Sequence, residues 1–220
     1  MDRGDAILRA GDDLRAVLCE LCRRFHALGW ASGTGGGISI REGERIWVAP
    51  SGVHKELIAE DDLFAIDLEG RVTDPPRNAA LRPSACTPLF LHAYRMREAG
   101  AVIHSHSRSA MLATLLAGRE LRVTHLEMIK GIAGHGYHDE LVVPIVENTA
   151  HEEQLEGAIA QAIREYPRTC AVLVRRHGVY VWGRDWRQAK AHAEVYDYLF
   201  DAYVRLRELG LDPERVGGER

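Results

Sequence analysis

Cysteine is scarce in this chain. Of its 220 residues only four are cysteines, Cys19, Cys22, Cys86 and Cys170, and the first two alone stand at a C-x-x-C spacing. No second pair completes a zinc site and no strand pattern precedes the first, so "LRAVLCELCRRFHALG" reads as a helix that packs two thiols. Long apolar runs are missing too: no stretch of about 18 such residues would cross a bilayer as a helix. The opening "MDRGDAILRAGDD" is too acidic and too poor in apolar residues for a secretion signal. The expected location is the cytoplasm. Basic charge is not in excess, with 28 Lys and Arg against 32 Asp and Glu and no cluster of either cation. That balance excludes a non-specific nucleic-acid binder. The sequence also has no internal repeat and no low-complexity linker.

What is present is a well-punctuated α/β pattern. With 46% apolar and 27% charged residues, the chain predicts one soluble domain over 1–220, with a polar tail fraying after about residue 213. A first helix is expected from about Asp12 to Leu28, stopped by Gly29. Two hairpins follow, one pairing Ile38 to Ile40 with Arg45 to Ala49 and the other turning at Glu69-Gly70. "RPSACTPLFLHAYRMREAG" is a loop entering a helix that ends at Gly100, and a second helix runs from about Arg108 to Ala117. After the strand in "LVVPIVENT", Thr149 and Glu152 match the S/T-x-x-E capping box and mark a helix start. "CAVLVRRHGVYVWG" is two strands joined by a turn at His177-Gly178, and Asp185 with Gln188 caps a last helix reaching about Leu209. Hairpins mixed with helices imply a largely antiparallel sheet with helices on its faces.

The chemistry centres on "AVIHSHS". On a strand, residues i and i+2 leave the same face roughly 6.5–7 Å apart, so His104 and His106 at the end of a buried strand can lean onto one ion. Histidines that merely close a strand with satisfied hydrogen bonds fit the pair as well. A third ligand would decide for a catalytic metal, because catalytic zinc takes three protein ligands and keeps one position open. His177 is the best candidate, since its turn follows an apolar strand. His26, His151 and His192 fall in helical patterns, His92 in a helix and His54 in a loop. His125, His135 and His138 flank the same region as the pair. Three neutral imidazoles leave such an ion its full charge as a Lewis acid able to stabilise an enediolate. "THLEMIKG" offers Glu127 as the acid/base, and a solvated glutamate fits those residues equally.

"SGTGGGIS" leads into a strand and lacks the lysine of a P-loop, so nucleotide binding is not expected. Its backbone N–H groups can still make an anion nest. "PSGVHK", with Ser51 and Gly52, and "RPSACT", with Ser84 ahead of a helix, add hydroxyl and amide donors. Together the three segments suit one phosphate.

The order of glycine-rich loop, "PSG", "PSAC", "HSHS" and a distant "RRHGVYVWG" resembles the class II aldolase and adducin-head family, from about Leu21 to Pro213. Within it, "PSACTPLF", "THLEMIKG" and "VVPIVENT" are similar to the branch that dehydrates 5-methylthioribulose 1-phosphate in methionine salvage. The resemblance implies a three-layer α/β/α subunit in a homotetramer, and one zinc per subunit on His104, His106 and His177. It further implies Glu127 as proton donor and acceptor, a substrate contact from Cys86, and phosphate held around Gly36, Gly37, Ser51, Gly52 and Ser84. Where the family's sugar-phosphate aldolases carry a catalytic glutamate this chain has Cys86, which argues against carbon–carbon cleavage. An aldolase or epimerase of another phosphoketose is the alternative. A non-catalytic head like that of adducin is the more distant one, because such heads are expected to lose ligands and all three histidines are present.

Overall fold

Asp13 starts the first element: its carboxylate accepts from the Arg15 amide at 3.0 Å, and α1 runs over Leu14–Ala27. The computed structural model describes residues 13–216, so the expected start at Asp12 lies outside the described residues. Cys19 and Cys22 are buried and unpaired in α1, as packed thiols should be.

Both expected hairpins form. β1 (Gly37–Glu42) pairs with β2 (Arg45–Val48) across a turn closing at Glu42 and Arg45, and β3 (Phe64–Ile66) pairs with β4 (Val72–Asp74). α2 (Thr87–Arg97) stops earlier than Gly100, because Glu98 itself takes the left-handed conformation that ends the helix. β5 (Ala101–Ser105) and α3 (Arg108–Leu116) fall where expected. β6 (Glu120–Thr124) was not anticipated. β7 (Glu140–Val146), α4 (Glu156–Glu165), β8 (Ala171–Val174), β9 (Gly178–Gly183) and α5 (Trp186–Glu208) complete the chain. Asp185 caps α5 through the Gln188 amide at 2.8 Å. The tail is held as far as Pro213, whose carbonyl accepts from the Thr124 amide at 3.1 Å.

The strands form one nine-stranded sheet in the order β4-β3-β2-β1-β5-β9-β8-β7-β6. Every pairing is antiparallel except β7 with β8. Strand period two sorts the core into two layers. Ala101, Ile103, Leu173 and Val181 pack with α1, α3 and α5 on one face; Val102, Val172, Val174 and Trp182 pack with α2 and α4 on the other. Each fully buried Val or Leu contributes roughly 1.5–3 kcal/mol, most of it offset by lost chain entropy. The result is the expected α/β/α sandwich. Among the described residues no helix is long and apolar enough to cross a membrane.

One expectation fails locally. Thr149 and Glu152 do not form a capping box: the Thr149 hydroxyl donates to the His151 carbonyl, and Glu152 opens a single 3-10 turn, Glu152–Leu155. Its carboxylate turns instead toward the end of β5, where stronger partners stand.

Candidate active site

β5 ends at Ser105, and the chain is then pulled over the sheet edge by a bond from the His106 amide to the Trp30 carbonyl, 2.8 Å. Ser107 caps α3 through the Ala110 amide at 3.2 Å and donates to Asp197 of α5, fixing the residue after the pair. His104 is buried and stacks on Tyr180 of the neighbouring strand β9, ring centres 4.1 Å apart. The turn between β8 and β9 delivers His177, and Gly178 is required beside it: a Cβ there would meet the Ser105 carbonyl oxygen at 2.0 Å.

These constraints bring three Nε2 atoms together. His104 to His106 is 2.9 Å, His106 to His177 is 3.0 Å and His104 to His177 is 3.2 Å. Ligands 2.0–2.1 Å from a tetrahedral centre stand about 3.3 Å apart, so the triangle is close to one face of a zinc site. The opposite ring nitrogens explain why it holds. His104 Nδ1 donates to the Val179 carbonyl and His177 Nδ1 to the Asn148 side chain, each at 3.1 Å. Those bonds leave the Nε2 lone pairs facing one another, an arrangement that suits a cation between them. Burial, reinforced by the neighbouring imidazoles, pulls His106 down to about 3 and His177 down to about 4, so both are neutral near pH 7, the state a metal would require.

Glu152 is the fourth member of the cluster. One carboxylate oxygen lies 3.5 Å from His104 Nε2 and 3.6 Å from His177 Nε2. The other accepts from the Cys86 thiol at 3.0 Å. The His104 imidazole beside it holds Glu152 down to about 2. Cys86 sits at the start of α2, where the helix terminus would favour a thiolate, but burial and the adjacent Glu152 push its pKa up. It is a neutral donor. Sequence reasoning missed Glu152 because the capping-box match absorbed it; "ENTAHEE" offers three carboxylates, and spacing alone does not choose among them.

Beside the histidines lies a cavity of about 190 Å³ whose walls include Gly36, Ser51, Gly52, Ser84, Cys86, His106 and Glu152. The three segments expected to hold a phosphate therefore do converge. Gly37 is not in the wall: it opens β1, opposite His104 in the sheet. Gly35 is in the wall, and a Cβ on it would stand 2.4 Å from His106 Nδ1, so the loop closes on His106 only as glycine. Lys55 and Thr34 also line the cavity.

Glu127 stands apart. It lies in a 3-10 turn, Glu127–Gly131, is solvent-exposed and pairs with Lys130. The other histidines also lie outside the cluster. His192 is buried between the Trp182 carbonyl and the Ala133 amide. His26 pairs with Glu56 and His92 with Glu156, and His125 bonds to His138.

The sequence profile of the class II aldolase and adducin N-terminal domain matches residues 16–204. A protein of Aquarana catesbeiana named methylthioribulose-1-phosphate dehydratase is 58% identical over 207 residues, covering 90% of this chain and 87% of its own. One of the same name from Homo sapiens is 53% identical over 210 residues, covering 92% and 87%. Among solved structures, an L-fuculose 1-phosphate aldolase superposes with a TM-score of 0.77 at 23% identity over 94% of this chain and 92% of that one. At that identity the likeness concerns the fold.

Proposed function

The chain belongs to the class II aldolase and adducin N-terminal domain family, and from that premise we propose that it dehydrates 5-methylthioribulose 1-phosphate to 2,3-diketo-5-methylthiopentyl 1-phosphate, a step of methionine salvage. The observation that carries the reading is a complete three-histidine cluster whose His106 also lines an adjoining glycine- and serine-walled cavity, in a chain more than half identical to proteins named for this reaction.

Zinc is the metal that a three-histidine site with tetrahedral edges favours, and His104, His106 and His177 would hold one ion per subunit to polarise the ketose carbonyl. Gly36, Ser51, Gly52 and Ser84 hold the phosphate and so fix the sugar carbons relative to the histidines. Glu127 takes the C3 proton; the C4 hydroxyl receives a proton and leaves as water, and the enol formed becomes the ketone. One carboxylate serves both transfers. Because Glu127 is exposed and off the cluster in its own chain, it serves the site of an adjoining subunit, which accords with a homotetramer. Cys86, as a neutral donor on the cavity wall, contacts substrate and holds Glu152 in place. The four free thiols accord with a reducing compartment, the cytoplasm, and the continuous sheet with one domain over 1–220.

Incubating the zinc-loaded protein with the phosphoketose and identifying the product by mass tests the reading. A diketone phosphate one water lighter is expected, with loss of both bound zinc and turnover in His177→Ala. Release of a triose phosphate or a two-carbon aldehyde would reassign the chain to the aldolases.

A further inference from the structure

Lys55 is one of only three lysines in the sequence, with Lys130 and Lys190. The other two are on ordinary ion pairs, Lys130 with Glu127 and Lys190 with Glu194. Lys55 is different in kind. It is only 2% exposed, and its ammonium donates to two backbone carbonyls, Thr34 at 3.1 Å and Val53 at 3.2 Å. No carboxylate lies within ion-pairing distance of it among the described residues. Two of its three N–H groups are thus used by neutral acceptors, and its charge has no counter-ion.

An ammonium taken out of water without an opposite charge is costly, and such groups persist where a ligand supplies the charge. The ligand side is on the page. Lys55 lines the same cavity as Ser51, Gly52 and Ser84, which offers donors but holds one carboxylate alone, Glu152, and that group is engaged by His104, His177 and Cys86. The two carbonyl bonds further fix the glycine-rich loop to the Ser51-Gly52 turn, so one side chain ties together two of the segments that meet there.

We propose that Lys55 is a specificity-determining residue of the anion cavity, its ammonium pairing with a dianionic phosphate monoester and selecting phosphorylated over unphosphorylated ketoses. The assignment rests on the reading of this cavity as the phosphate end of the site. A compact ammonium fits a small cavity where a planar guanidinium would not, and this accounts for lysine at position 55 in a chain whose cations are mostly arginine.

The test uses inorganic phosphate as the probe on zinc-loaded protein. Phosphate should stabilise the wild type saturably against heat, and Lys55→Met should weaken its affinity at least about tenfold, raising KM for the phosphoketose more than it lowers kcat. Lys55→Arg should recover only part of the affinity. A Lys55→Met protein that melts lower but binds phosphate as tightly as wild type would show a structural clamp only, and would overturn the proposal. If Lys55→Met does not fold, the ammonium resonance of Lys55 in ¹⁵N-lysine-labelled wild type serves instead: a shift on phosphate titration supports the pairing, and an unmoved resonance at saturating phosphate overturns it. Phosphate binding requires no turnover, so an unexpected reaction product would sink the dehydratase reading and leave this result standing.

Discussion

At the residue scale, the site is built from groups whose charge states the fold has selected. In the unfolded chain the imidazoles take up protons near pH 6.5, whereas in the fold burial holds His106 and His177 neutral down to about 3 and about 4. Folding therefore excludes protons, and metal-free protein should lose stability as the pH drops from about 6.5 toward 4, by on the order of 1–2 kcal/mol per imidazole at pH 5. Glu152 acts in the same direction at lower pH. Held down to about 2, it adds stability above its unfolded value and loses it as the pH falls through the folded one. The expected outcome is a thermal midpoint of chelator-treated protein that declines below pH 6.5, with a shallower decline in His106→Gln. Identical slopes for the two proteins would contradict it. Bound metal should delay the decline until the histidines protonate and release it.

Legibility at the element scale followed the strength of the local signal. Asp185 with Gln188, and the periodic helix behind them, were readable because a side-chain cap and a helical stripe point to the same boundary. β6 was not, because "ELRVT" carries two charges and only Leu121 and Val123 buried in alternation, too brief for an apolar-run criterion. Thr149 and Glu152 satisfy a motif that the tertiary structure overrides: the carboxylate accepts from the Cys86 thiol and joins the histidine cluster where a cap would have given it one amide. His104, His106 and His177 were legible as a set because strand period and a tight turn place them. Lys55 was not, since burial without a counter-ion has no sequence signature. Caps near the site should therefore differ in consequence from caps elsewhere. Asp185→Ala should cost about 1 kcal/mol and leave metal content unchanged. Ser107→Ala removes the α3 cap and also leaves half-buried Asp197 without its hydroxyl donor, so it should cost more, about 1–3 kcal/mol, and lower metal occupancy through His106. Melting curves paired with metal analysis separate the two; equal metal loss in both variants would mean that the α3 cap has no special hold on the histidine cluster.

At the scale of the whole molecule, the chain brings together the histidine–glutamate cluster and the cavity beside it by itself, but leaves the acid/base of the proposed reaction elsewhere. The cluster sits where β5, the β8–β9 turn and the Glu152 turn meet, while Glu127 lies on the 3-10 turn that packs against α5 and faces solvent. α3, which follows directly from His106, exposes Leu112, Leu115 and Leu116, an apolar strip that contact with a second copy would cover. A composite site predicts complementation. His177→Ala chains keep Glu127 but lose the metal, and Glu127→Gln chains keep the metal but lose the carboxylate, so each homo-oligomer should be inactive. Co-expressed with different tags and purified as mixed assemblies, they should regain activity, because random pairing restores about a quarter of the sites with one intact contribution from each chain. Mixed assemblies as inactive as their parents would show that Glu127 does not act across an interface; wild-type turnover in Glu127→Gln alone would move the proton transfer to Glu152, the carboxylate already beside the histidines.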